Sequence, residues 1–127
     1  MTAWPGTDAR RATYQRGRWA EQAAVDYLQR QGLTLQDRNY HSPFGEIDII
    51  MREHASLVFI EVRYRANETF CPAVETISRT KQQRIRTTAE HYLQQQRQAH
   101  KYDCRFDVIT LSGPQQSPAY NWMRNAF

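Results

Sequence analysis

The sequence predicts an α/β domain whose elements follow the order helix, three strands, helix, strand. Three observations carry this prediction. Ala20, Ala23, Ala24, Tyr27 and Leu28 recur at helical spacing. Two strand-like segments, 46–51 with alternating faces and 57–63 apolar until its end, are separated by a short polar link. A second helical stripe of Ile85, Ala89, Tyr92 and Leu93 precedes a last strand-like segment over 102–110. The 127 residues and 15.0 kDa suit one domain with a sizeable core. Hydrophobic residues at 40% and charged residues at 24% exclude wholesale disorder.

Residues 1–14 mix Pro5, Gly6 and small or charged residues, and read as a flexible lead-in to a domain proper over 15–111. The first helix is expected over about 16–31, with Gln22, Asp26, Gln29 and Arg30 opposite the apolar stripe and Gly32 as its stop. Leu33 and Leu35 alternate with polar neighbours towards Asn39, predicting a short strand ended by a turn over 41–45. Strand alternation over 46–51 assigns Glu46, Asp48 and Ile50 to one face and Ile47, Ile49 and Met51 to the other. The run 57–63 is apolar until its end, the pattern of a central strand covered on both faces. The link 52–56 is short enough for a hairpin.

Ala73 to Ile77 suit a helical turn, and Ser78 is the N-cap of a helix over about 79–96. A last strand covers 102–110, before Gly113 and Pro114. Residues 112–127 are a tail with aromatic residues suited to docking on the domain. Gly45 is the residue expected to admit the tight turn into the acidic strand.

Lys and Arg number 17 against 13 Asp and Glu, a net charge of +4 that permits an anionic partner without demanding one. Fifteen of the 17 are Arg, whose planar forks grip phosphates bidentately, although genome composition produces the same bias. Cys71 and Cys104 form neither a metal-binding pair nor a disulfide framework, and two reduced thiols are the default. No apolar stretch follows the basic residues near the start, and no run approaches the roughly 18 apolar residues of a membrane span. A soluble cytoplasmic protein with no membrane partner is therefore expected. His41, His54, His91 and His100 lack zinc spacing, no G-x-S-x-G elbow occurs, and no G-x-x-x-x-G-K loop is present.

Asp48 and Glu61 are the informative acids, because each lies in an otherwise apolar strand where a carboxylate needs a cation or hydrogen bonds. In a hairpin register that sets them side by side, their hard oxygens suit Mg²⁺, with water and phosphate completing the shell. Such an ion polarises a phosphodiester and supplies hydroxide for in-line attack. Arg63 lies two residues beyond Glu61 on the same strand face, placed to clamp the scissile phosphate. Glu21, beside the apolar stripe of the first helix, is an auxiliary ligand or a solvated helix acid. Glu46 is a competing ligand or an orienting residue. Structural ion pairing explains the same spacing without catalysis. Lys81, Arg84 and Arg86 on the second helix are candidate contacts to a DNA backbone, or a solvated basic face. Arg105 and Asp107 share a strand face suited to pairing.

Gly17-Arg18-Trp19-Ala20-Glu21, Gly45-Glu46-Ile47-Asp48-Ile49-Ile50, Leu57-Val58-Phe59-Ile60-Glu61-Val62-Arg63 and Arg105-Phe106-Asp107-Val108, in that order, resemble the bacterial YraN-like family. That group is assigned by resemblance to the restriction-endonuclease-like, PD-(D/E)XK, superfamily and is related to archaeal Holliday-junction resolvases. The resemblance covers about residues 15–111 and extends to the Asn125-Ala126-Phe127 ending. It implies an α/β core with a central mixed sheet and flanking helices. It also implies a Mg²⁺-dependent DNA endonuclease, with Mn²⁺ as a substitute ion and branched DNA as the substrate class. Glu21 matches the family's early helix acid, Asp48 the acid of the G-E-I-D segment and Glu61 the acid of the following strand. Arg63 stands where the family pattern has lysine, and its wider fork does not reproduce the placement of a compact ammonium. A nuclease-like fold kept for nucleic-acid binding or repair-complex assembly is the alternative. A homodimer would set two centres on the two strands of a branch.

Overall fold

The computed structural model describes residues 5–66, 77–96 and 102–127, with side chains from Tyr14 onward. Seven elements follow in chain order: α1 (Pro5–Arg30), β1 (Thr34–Ser42), β2 (Gly45–Glu53), β3 (Ser56–Arg65), α2 (Arg79–Gln95), β4 (Asp103–Ser112) and β5 (Ala119–Met123). The strands form one mixed sheet in the order β1-β2-β3-β4-β5. Only the β3–β4 pair is parallel. Parallel neighbours need a long crossover, and α2 lies within it, as the α/β expectation requires.

Each helix covers one face of the sheet. Ala20, Ala24, Val25 and Leu28 of α1 pack on Ile49, Met51, Val58, Ile60, Ile109 and Leu111. On the other face Ile85, Ala89 and Tyr92 of α2 pack on Ile47, Ile50, Leu57 and Phe59. The strands β2 and β3 are thus buried on both sides, which explains their long apolar runs. The helix α1 closes on Gly32 in the left-handed region at φ 102°. Gly32 N–H donates to Gln29 O and Leu33 N–H donates to Leu28 O, which satisfies carbonyls left open by the helix end. Ser78 caps α2, its Oγ accepting from Lys81 N–H at 3.1 Å.

Three expectations are corrected. The first helix starts at Pro5 rather than near residue 16, so most of the expected lead-in is helical. Proline suits a first helical position, where its missing N–H is not needed, and the alanines and arginines after it are good helix formers. Ile47 does not share a face with Ile49 and Met51 but packs with Ile50 against α2. The β2–β3 register runs from Glu53↔Ser56 to Ile49↔Ile60, and beyond it the side chain of Asp48 takes the Val62 N–H at 2.9 Å. Strand alternation therefore fails at Asp48. Finally, the tail contributes a fifth strand, with Val108↔Met123 and Ser112↔Ala119 at the ends of its antiparallel register on β4.

The pairing expected of Arg105 and Asp107 is part of what anchors this strand. Arg105 grips Asp107 with two hydrogen bonds, Nε to Oδ1 at 2.9 Å and Nη2 to Oδ2 at 3.0 Å. Trp122 Nε1 and Asn125 N–H donate to the same carboxylate. The turn expected over 73–77 lies outside the described residues except for Ile77, and Cys71 lies outside them too. Cys104 is an exposed thiol. Among the described residues, no helix is long and apolar enough to cross a membrane.

Candidate functional site

The strands β2 and β3 part at Asp48, and the gap receives charged side chains. Glu61 follows Leu57 and Phe59 on the α2 face of β3 and is 6% exposed. Its Oε1 lies 2.7 Å from Lys81 Nζ and 3.6 Å from Arg63 Nε. The Ser78 cap fixes the first turn of α2, and this turn carries Lys81 over the sheet. A buried carboxylate thus meets two cations from different elements, as its desolvation demands.

Asp48 is half-buried, and its Oδ2 accepts from Val62 N–H. Burial is the main reason its carboxyl is pushed up to about 7, and repulsion from Glu61 adds to it. The Val62 N–H and the more distant Lys81 charge work against the rise, whereas Glu21 reinforces it. Glu21 reaches towards β1, where Asn39 hydrogen-bonds it and Arg38 lies near. Burial raises the Glu21 carboxyl despite those two partners. Arg38 itself donates to Gln22 Oε1 at 2.7 Å, tying α1 to β1 beside that acid.

Asp48, Glu61, Arg63 and Lys81 therefore form one linked set. Glu21 acts on Asp48 through its charge, and no group of three His, Cys, Asp or Glu side chains among the described residues converges on a metal-sized point. Glu46 is exposed at the β1–β2 hairpin and contacts His41 at 3.3 Å. The basic residues of α2 have separate neighbours. Lys81 is on Glu61, Arg84 lines a groove beside the hairpin, and Arg86 lies over the rings of Phe106 and Phe127 at 4.9 and 5.5 Å. Helical geometry explains the split, because Lys81 and Arg84 are one turn apart and Arg86 points elsewhere.

Sequence reasoning did not foresee the Lys81–Glu61 contact, since Lys81 read as a surface cation. The capping serine three residues earlier was the available signal that this turn had a fixed place. It also missed Thr110, which pairs in register with Arg63 across the parallel ladder. The Thr110 side chain is 7% exposed, and its Oγ1 has no hydrogen-bond partner among the described residues.

The family model of the uncharacterised protein family UPF0102 matches residues 20–111, a span that runs from α1 through β4 and holds all four members of the linked set. The chain belongs to the UPF0102 family. A UPF0102 protein of Nitrosococcus oceani is 46% identical over 112 residues, covering 88% of this chain and 90% of that protein. One from Legionella pneumophila strain Corby is 44% identical over 115 residues, covering 91% and 96%. One from Nitrosomonas europaea is 46% identical over 114 residues, covering 88% and 92%. These UPF0102 proteins thus align with the chain over nearly its whole length.

Proposed function

We propose that this UPF0102 protein is a metal-dependent DNA endonuclease that hydrolyses phosphodiester bonds. The observation that carries the proposal is the Asp48 carboxyl, raised to about 7 by burial and by the Glu61 charge, with Lys81 and Arg63 converging on one Glu61 oxygen. Perturbed acids beside paired cations at a break in a sheet are what phosphoryl chemistry uses. The likeness of the motifs to the restriction-endonuclease-like superfamily and to archaeal resolvases supports the same reading, and favours branched DNA. Two active centres on a branch give a geometric motive for a homodimer.

The donor set fits a hard divalent ion. Asp48 and Glu61 present oxygen donors whose mutual repulsion is only partly offset by the neighbouring cations, so a dication would relieve it. Asp48 and Glu61 would hold Mg²⁺ or Mn²⁺, with Glu21 acting on the shell from α1. Bound there, the ion supplies Lewis-acid polarisation and a water of lowered pKa. The chain's own groups do the rest. Arg63 contacts a phosphate oxygen and stabilises charge that develops in the transition state. Lys81 holds Glu61 in place and provides the compact ammonium that Arg63 does not. Arg84 contacts a backbone phosphate further along the strand, while Arg86, turned onto Phe106 and Phe127, is set apart from that path.

The test is cleavage of single-stranded, duplex, flap and four-way-junction DNA with Mg²⁺ or Mn²⁺, beside folded Asp48→Ala and Glu61→Ala. Wild-type cleavage that both substitutions abolish is the expected result. Normal turnover by both variants would refute the site. Arg63 in the lysine position favours a second reading, a nuclease-like fold kept for nucleic-acid binding or repair-complex assembly. That reading expects salt-dependent DNA binding without cleavage under either ion.

A further inference from the structure

The β1–β2 hairpin places an exposed ring beside the basic side of α2. Phe44 is 53% exposed, and only it and Tyr14 are exposed large hydrophobic residues among the described residues. Its position is fixed. Ser42 Oγ accepts from Phe44 N–H at 3.1 Å, bonds Gly45 O at 3.2 Å and lies 3.1 Å from Thr88 Oγ1 of α2. Gly45 sits so close to α2 that an added Cβ would lie 3.4 Å from Thr88 Oγ1. The ring meets His91 edge-on at 6.5 Å between centroids.

Between this ring and α2 runs a groove of about 530 Å³ lined by Phe44, Arg79, Thr80, Gln83, Arg84 and Thr87. Its wall holds two guanidinium groups and no carboxylate. Glu46 borders the adjoining hollow, where His41 is in contact with it. The wall is mostly apolar, but an apolar peptide would leave its two guanidinium groups without an anion. A nucleic-acid strand finds a stacking surface flanked by phosphate-binding forks.

We infer that this groove binds an unpaired stretch of nucleic acid, with one base stacked on Phe44 and neighbouring phosphates on Arg79 and Arg84. The inference rests on the nuclease reading and narrows its substrate to DNA with a single-stranded segment. Bases within a duplex are stacked on one another and offer no free face to the ring. Arg84 and Lys81 are one helical turn apart, about 5 Å along α2, so a strand held in the groove continues directly to the acids. The hairpin is already braced on α2, so stacking requires little ordering of the ring.

Binding of a labelled oligothymidylate and of a blunt duplex to the full chain in EDTA tests this without cleavage. Wild type should bind the oligothymidylate, Phe44→Ala should weaken that binding on the order of tenfold or more, and Phe44→Trp should retain it. Duplex affinity should stay within about twofold for both variants. Unchanged oligothymidylate binding by Phe44→Ala, an equal loss on duplex, or a wild type that binds neither DNA would overturn the inference. The nuclease reading fails separately, by an absence of acid-dependent cleavage in protein that still binds single strands through Phe44.

Discussion

Lys81 Nζ lies 2.7 Å from Oε1 of Glu61, joining the first turn of α2 to the middle of a central strand. The contact gives α2 a fixed start over the gap between β2 and β3. It also explains how a carboxylate 6% exposed is tolerated in a strand that is otherwise apolar up to that residue.

Lys81→Ala leaves Glu61 buried with Arg63, at the longer distance of 3.6 Å, as its remaining cation among the described residues. Because Lys81 is partly exposed, the expected loss of stability is about 1–2 kcal/mol rather than the larger cost of breaking a fully buried pair. Lys81 also draws the Asp48 carboxyl downward, so its removal should raise Asp48 further. Denaturant melts and carboxyl-carbon NMR titration check both effects, and Lys81→Arg should recover part of each. A variant as stable as wild type, with Asp48 unmoved, would show that the ion pair has no energetic weight.

Asp48 gives stability an unusual pH dependence. Its folded value of about 7 lies above the ordinary 3.8 expected in the unfolded chain. Between these values the folded protein keeps the proton and the unfolded chain has released it. This group's stabilisation is complete below about pH 4 and is lost as pH rises through about 7. Allowing for solvent near the half-buried carboxyl, the loss is on the order of 2 kcal/mol. Asp48→Asn should remove it, so the stability difference between variant and wild type grows from pH 5 to pH 8. Added Mg²⁺ should stabilise wild type at pH 8 and have little effect at pH 5. A difference that stays flat with pH would remove the basis for a strained acid pair.

Much of this arrangement was legible from local pattern. The apolar stripes of α1 and α2, the Ser78 cap and the two acids in apolar strands are all short-range signals. The slip that sends Ile47 to the opposite face was not, because a side chain from Asp48 replaces a ladder partner only once β3 is alongside. The strand β5 was hidden for a similar reason. Five residues carry little periodicity, and its anchor, Asp107, lies 15 residues before Trp122. Lys81 looked like any helix-surface cation until the crossover set it over Glu61.

Thr110 offers a test of the packing opposite Arg63. A buried hydroxyl without a partner loses its hydration and gains nothing, whereas a methyl of the same shape avoids that loss. Thr110→Val should therefore raise stability by about 1 kcal/mol, read as a higher denaturant midpoint with an unchanged slope. Thr110→Ser keeps the hydroxyl, opens a small cavity and should lower the midpoint. Destabilisation by valine would mean that the hydroxyl makes a bond in solution.

Arg105 tests how firmly the C-terminal strand is held. Its guanidinium is the counter-charge for Asp107, which is fully buried, and it also reaches Glu53 Oε1 at 2.9 Å. Arg124 donates to the same Glu53 oxygen at 2.8 Å. Arg105→Ala strands the Asp107 charge with Trp122 Nε1 and Asn125 N–H as its remaining donors, and should cost about 3 kcal/mol. Replacing both partners, as Arg105→Met with Asp107→Leu, should cost less than Arg105→Ala alone because no charge is left buried. Amide exchange on β5 distinguishes a local effect from a global one. Protection of residues 119–123 should fall in the single variant well before that of the β2–β3 pair. Equal loss across the sheet would show that the tail and the central strands open as one unit.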